Sequence, residues 1–412
     1  MRGLASPWAL ILKRKPHGMI HANRDLMTNV TTRRRLIRGT ALPSSFDGIA
    51  VKEQSHFAPP VENPARPPLD GPQGRKAGWA IVGLGRLALA EIMPAFATCK
   101  RSTPVALVSG DREKALKVAR VHGIAEDAIY DYDNFDRIAG DPRIVVVYIV
   151  LPNSMHAEYT TRALRAGKHV LCEKPMAVTV EEGVTMEQAA NEAGKKLGIA
   201  YRLHYEPMNR KVMDWCREKK FGRVKAFTSS NCQTVEASNI RLSGKLGGGP
   251  LVEVGILPIN AARYVLNEEP AEITAYACRP ESDPRLREVP ESVTFVMRYP
   301  SGAIASCLCS FGVSESRQYR VHCEKGFIDM DPASSYGGLR LRTRRKHDGL
   351  PKSAEFMTRP VNHFTREMDG FSAAVLDDAE VTTPASMGIA DLRIVTAIGE
   401  SIRRGEPVNL GA

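Results

Sequence analysis

Three short strings in this sequence pair residue types and spacings suited to holding a ligand at the ends of strands: Gly83-Leu84-Gly85-Arg86-Leu87-Ala88, Leu151-Pro152-Asn153-Ser154-Met155-His156 and Cys172-Glu173-Lys174-Pro175. The first follows the apolar run Ala80-Ile81-Val82 and has the form GxGxxA. Gly83 permits a tight turn, Gly85 lets a pyrophosphate approach the backbone, and the small Ala88 lets the next helix pack closely on the strand. The helix start at Arg86 and Leu87 then offers N–H donors to phosphates. This is the pattern of a dinucleotide site.

The end of the second strand separates the two nicotinamide cofactors, because a carboxylate there accepts from a ribose 2'-hydroxyl and repels a 2'-phosphate. Here Val105-Ala106-Leu107-Val108 is followed by Ser109-Gly110-Asp111-Arg112-Glu113-Lys114. A hydroxyl at Ser109, with Gly110, Arg112 and Lys114 close behind, favours NADP. Asp111 argues the other way, and Arg112 to Lys114 also reads as an ordinary exposed first turn of a helix.

Elements that could position these strings are visible in the hydrophobic pattern. Short apolar runs at Trp79 to Val82, Val105 to Val108, Val145 to Leu151, His169 to Cys172 and Leu197 to Tyr201 alternate with helical stretches. That alternation predicts an α/β Rossmann domain with a doubly wound parallel sheet over residues 75–203. Ligands bind beyond the carboxyl ends of such strands, so the second and third strings face the same crevice as the first. Further on, Ile273 to Cys278, Val293 to Tyr299 and Ala303 to Phe311 alternate in and out. They predict an α+β domain over residues 204–412 built on a large open, mostly antiparallel sheet. The final helix, Asp391 to Arg403, gathers Leu392, Val395, Ile398 and Ile402 on one face.

The 412 residues carry a net charge of +11, but residues 1–76 hold thirteen Lys and Arg against five Asp and Glu, which leaves only +3 for the rest. Nucleic acid is therefore not an expected partner. Residues 1–74 contain Pro59, Pro60, Pro64, Pro67, Pro68 and Pro72 with few large apolar side chains, and read as an extended basic arm rather than a domain. Met27 is an alternative start, and Thr32-Arg33-Arg34-Arg35-Leu36-Ile37 after it resembles a twin-arginine export string whose apolar segment is missing. A cytoplasmic protein is expected, with a periplasmic one as the alternative. No apolar run is long enough for a membrane span. The eight cysteines form no CxxC pair, so no metal site is expected.

With Ala166-Gly167-Lys168-His169-Val170 before Glu173-Lys174-Pro175, and Tyr201-Arg202-Leu203-His204-Tyr205-Glu206-Pro207-Met208-Asn209-Arg210 after it, the run from Trp79 to Arg210 resembles the glucose-fructose oxidoreductases of the Gfo/Idh/MocA oxidoreductase family. The similarity continues more loosely through Gly247-Gly248-Gly249 and Arg263-Tyr264 to the last helix. The resemblance implies hydride transfer between the nicotinamide of NADP and a sugar carbon. Lys174 matches the family lysine that contacts the reacting hydroxyl, where an ammonium stabilises developing alkoxide charge and crowding by positive charge suits its amine to proton traffic. Leu151, Asn153, Glu173 and Arg202 join the cofactor-facing set, with Asn153 placed to position the nicotinamide ribose, and His156 is either a contact or a helix cap. The resemblance also implies a homo-oligomer, dimer or tetramer, with the arm of one subunit laid on the cofactor domain of its neighbour.

In those relatives the triple glycine is followed by an aspartate and, four residues on, by a tyrosine acting as acid/base. This sequence has Glu253 and Leu257 instead, and leucine transfers no proton. Pro258 biases residue 257 toward an extended conformation. Two readings stay open. In one, protons move through Lys174 with Glu253 and either Tyr205 or His204 assisting, in an NADP-dependent sugar oxidoreductase. In the other, the protein binds NADP and sugar as a sensor or regulatory relative with little turnover.

Overall fold

The structure, a computed structural model, describes residues 74–411 except Asp348. The stretch Pro59 to Pro72, the string Thr32 to Ile37 and Met27 lie outside the described residues.

Six strands, β1 (Ala77–Val82), β2 (Ser102–Val108), β3 (Ile129–Tyr130), β4 (Val146–Ile149), β5 (His169–Glu173) and β6 (Leu197–Ala200), form a sheet in the order β3-β2-β1-β4-β5-β6. Every pairing is parallel. This is the doubly wound order, reversing direction between β1 and β4. Helices cover both faces, so β1 and β4 are buried along their whole length rather than alternating. The helix Arg112–His122 is capped by the Asp111 side chain and ends at Gly123 in the left-handed region. The helix Val180–Glu192 starts with a reciprocal capping box between Thr179 and Glu182.

Register brings the loops together. Val82 pairs with Val108 on one side and Ile149 on the other, Ile149 pairs with Cys172, and Glu173 pairs with Ala200. The turns that begin at Gly83, Ser109, Val150, Lys174 and Tyr201 therefore emerge side by side at one edge.

The second sheet has nine strands: β7 (Val224–Cys232), β8 (Glu272–Cys278), β9 (Ser292–Arg298), β10 (Ile304–Ser310), β11 (Ser316–Cys323), β12 (Gly326–Met330), β13 (Leu341–His347), β14 (Leu350–Phe356) and β15 (Val408–Asn409). Their order is β14-β13-β12-β11-β7-β10-β9-β8-β15, with β7 and β10 as the parallel pair in an otherwise antiparallel sheet. Along β9, Val293, Phe295 and Met297 are buried while Thr294, Val296 and Arg298 are exposed. The buried face packs under the helices Pro207–Arg217, Ile256–Leu266 and Ala385–Arg404. No helix among the described residues is long and apolar enough to cross a membrane.

The C-terminal helices also complete the core of the first sheet. Trp79 is fully buried, its indole N–H donates to Ser372 Oγ at 2.9 Å, and its ring meets Phe96, Tyr148 and Phe371 edge-on. Gly198 of β6 has no room for a side chain, because a Cβ there would lie 2.7 Å from the Phe371 ring. The helix His363–Leu376 thus rests on the parallel sheet, close behind the strand ends that open the cleft.

Candidate active site

A cleft of about 780 Å3 opens at the edge where the parallel strands end, and the second sheet supplies its opposite wall. The first turn shapes one end. Gly83 has φ +95°, and a Cβ on it would strike Val150 O at 2.4 Å, whereas a Cβ on Gly85 would meet nothing within 4 Å. Gly83 is thus required by the fold, while the backbone at Gly85 is left open to an approaching ligand. Arg86 and Leu87 line the same end. Ser109, Gly110 and Lys114 lie beside them. Ser109 Oγ accepts from the Asp111 amide at 3.1 Å, and an Asp111 carboxylate oxygen accepts from the Lys114 amide at 2.9 Å. That carboxylate serves as the helix cap. Arg112, expected with this group, instead starts the helix as an exposed residue and is not part of the cleft wall.

Leu151, Asn153, His156, Glu173, Lys174, Arg202 and Glu253 form the deeper part. Asn153 donates through Nδ2 to Gly247 O and to Glu253 Oε1, both at 2.8 Å. Arg241 Nε meets the other carboxylate oxygen of Glu253 at 3.1 Å. With both oxygens engaged, Glu253 acts as an anchor between the two walls. His156 begins a helix without capping it; its ring nitrogens lie 2.8 Å from Pro175 O and 2.9 Å from Leu151 O, tying two cleft loops together. Arg202 spreads over the Tyr336 ring at 4.6 Å, beside Phe364, and bonds His363 Nδ1 at 2.9 Å and Ser334 O.

Lys174 Nζ donates to the main-chain oxygen of Glu253 at 3.1 Å. Burial lowers its pKa, opposed by the charges of Glu253 and Glu173. The amine is thus held in place and drawn toward its neutral form, as a proton-transfer group requires.

Pro258 alters the hydrogen bonding of the segment that presents that carbonyl. The segment Leu251–Gly255 is a π-helix that runs into the helix Ile256–Leu266. Pro258 has no N–H to offer to Val254 O, four residues back, or to Glu253 O, five back. Asn231 Nδ2 serves the first at 2.7 Å, and Lys174 serves the second. The expected extended conformation at Leu257 is not found. It is helical and lines the cleft; Asn231 Nδ2 serves the carbonyl that the missing Pro258 amide leaves free.

His204 and Tyr205, expected to assist proton transfer, are not in the cleft. Both are fully buried. His204 Nε2 donates to Asn260 Oδ1 at 2.7 Å, within a network in which Asn260 and Arg263 both bond Asp391. Burial brings the His204 pKa down to about 4, so the ring stays neutral. The Tyr205 hydroxyl lies 3.5 Å from Thr383 Oγ1, and burial pushes its pKa up. Neither side chain reaches solvent or the Lys174 amine. Conversely, Tyr132, Asn231, Arg241, Arg317, Tyr336 and Phe364 line the cleft without having been anticipated. They stand on separate elements with no shared motif, and their only common signal is position in the fold. Among the described residues, no group of three or more His, Cys, Asp or Glu side chains is arranged to hold a metal ion.

Residues 77–201 match the model "Oxidoreductase family, NAD-binding Rossmann fold", and residues 209–329 match the GFO/IDH/MocA C-terminal domain. The solved structure of an aldose-aldose oxidoreductase from Caulobacter crescentus is 39% identical, with a TM-score of 0.78 over 81% of this chain and 100% of that one. The chain belongs to the GFO/IDH/MocA oxidoreductase family. A D-xylose 1-dehydrogenase [NADP(+)] of Haloarcula marismortui is 27% identical over 90% of this chain and 99% of that protein. A 1,5-anhydro-D-fructose reductase of Ensifer adhaerens is 26% identical over 81% and 98%. The first of these matches places the parallel sheet in an NAD-binding Rossmann fold.

Proposed function

We propose that this protein is an NADP-dependent oxidoreductase acting on a sugar, oxidising an aldose at its anomeric carbon to a lactone. The observation that carries the reading is Lys174, a cleft amine held on Glu253 O at the carboxyl end of β5. Relatives named for NADP-dependent xylose oxidation and aldose-aldose oxidoreduction support it. The open approach to Gly85 and the basic Lys114 beside Ser109 suit a dinucleotide that carries a 2'-phosphate. When bound, the nicotinamide takes up or returns the hydride. Lys174 receives the hydroxyl proton of the sugar, or returns it in the reverse direction, and as an ammonium stabilises alkoxide charge. Asn153, fixed by Glu253 and Gly247 O, orients the ligand between the walls, and Arg202 over Tyr336 lines the far side. We further propose a homo-oligomer that retains its cofactor between a sugar oxidation and a sugar reduction, as in glucose-fructose oxidoreductases.

Leu257 favours a second reading, a sensor that binds cofactor and sugar with little turnover, because the side chain on the cleft wall there carries no proton. Absorbance near 340 nm, followed after aldoses and ketoses are mixed with the NADP-loaded protein, separates the two. Reduction by any aldose that disappears in Lys174→Ala supports the enzyme. A cofactor that binds but stays oxidised with every sugar overturns it.

A further inference from the structure

Behind the cleft wall, two carboxyl groups share one hydroxyl. The Tyr148 hydroxyl on β4 donates to Glu173 Oε1 of β5 at 2.9 Å and lies 3.4 Å from Glu367 Oε2 of the helix His363–Leu376. All three side chains are buried. A phenol has one proton, so it cannot satisfy both carboxylates.

The two carboxyl groups are not equivalent. Glu173 accepts from Tyr148 and from the Lys174 amide at 3.3 Å, and it lines the cleft near the cations Lys174 and Arg202. Glu367 is fully buried, and its Oε1 has no hydrogen-bond partner. The charged or titratable groups facing it are Tyr148 and Glu173 from the sheet, and Arg202 and Tyr205 from the 3-10 turn Arg202–Tyr205. An ionised Glu367 would be a second negative charge in a buried site with no donor of its own, which is strongly unfavourable.

We infer that Glu367 holds a proton at neutral pH and donates it to the Tyr148 oxygen, so that Tyr148 donates to an ionised Glu173. Glu367 is then a positioning residue. It fixes the direction of the Tyr148 hydroxyl and keeps the negative charge on the cleft carboxylate, one of the two that oppose the effect of burial on Lys174. Burial, then the charge of Glu173, pushes the Glu367 carboxyl well above the ordinary carboxylate range, in keeping with this assignment.

The test needs neither cofactor nor sugar, so its failure is distinct from failure of the proposed activity. Infrared spectra of the full chain at pH 7 should contain the carbonyl stretch of a protonated carboxyl that shifts on deuteration, is lost in Glu367→Gln and remains in Glu173→Gln. A band that survives in Glu367→Gln and disappears in Glu173→Gln, or no difference between wild type and Glu367→Gln, overturns the inference. Thermal unfolding gives an independent arm. A carboxyl whose folded-state pKa is raised leaves the folded protein holding a proton that the unfolded chain releases, so wild type loses stability as pH rises above the unfolded value. Glu367→Gln lacks that loss and should gain Tm over wild type by an amount that grows from pH 5 to pH 8. A Tm below wild type by the same amount at every pH overturns the assignment.

Discussion

Asn231 donates at 2.7 Å to Val254 O, the carbonyl that Pro258 leaves without a helical donor. The next carbonyl upstream, Glu253 O, holds Lys174. A side chain on β7 and a proline on a helix are thereby joined to the position of the cleft amine.

The first prediction uses that linkage. Asn231→Leu strands a buried acceptor, at a cost of about 1–3 kcal/mol, and frees the π-helical turn that presents Glu253 O. Thermal stability and turnover should both fall. Adding Pro258→Ala restores an N–H where the donor is missing, so the double variant should recover part of both losses. A double-mutant cycle in urea measures the coupling, and strict additivity would refute it.

The second concerns Lys174. Burial disfavours its charged form, so its pKa lies below the ordinary lysine value. For sugar oxidation the neutral amine is the base, and the rate should climb as pH rises through that pKa and then level off. Lys174→Ala should lose about a hundredfold to ten-thousandfold and the climb with it. Single-turnover rates across pH check both, and an unchanged pH profile in the variant would remove Lys174 from proton transfer.

The third separates two cations that look alike in the sequence. Lys114 lines the cleft and Arg112 does not. Lys114→Ala should weaken NADP by roughly tenfold to a hundredfold, the worth of about 1.5–3 kcal/mol, and leave NAD nearly unchanged. Arg112→Ala should alter neither. Calorimetry with both cofactors decides, and equal losses in the two variants would place the 2'-phosphate elsewhere.

Much of this was legible in the chain because a βα unit is a local object. The strand before Gly83, the glycines and the helix after them are contiguous, and the later strand ends follow from the same alternation. The two-residue β3 was not legible, being too short for any period. That Phe371 packs on Gly198 and Trp79 was also hidden, since an amphipathic helix shows which face is apolar but not which sheet will cover it. His204 and Tyr205 misled through adjacency. They follow Arg202 in sequence, but the 3-10 turn directs Leu203, His204 and Tyr205 into the interior while Arg202 reaches the cleft. Arg241 and Asn231 carry no local signal, because their partners, Glu253 and Val254 O, stand on a different element, the π-helix Leu251–Gly255.

The last prediction concerns Leu257. A positioned acid/base contributes about a hundredfold to ten-thousandfold, so a cleft with leucine there should oxidise aldoses slowly. Slow turnover still follows from orientation of the sugar and from charge stabilisation by Lys174. Because Leu257 is helical and already lines the cleft, a longer side chain at that position emerges into the same space. Leu257→Tyr should therefore raise the single-turnover rate of NADP reduction, by up to about 100-fold, and give a second limb in the pH profile from the added phenol. Combining it with Lys174→Ala should remove most of the gain, since the phenol would relay protons at a hydroxyl that Lys174 holds. If Leu257→Tyr leaves the rate unchanged while NADP and sugar still bind, proton transfer is not what limits this cleft, and the sensor reading gains the ground that the enzyme reading loses.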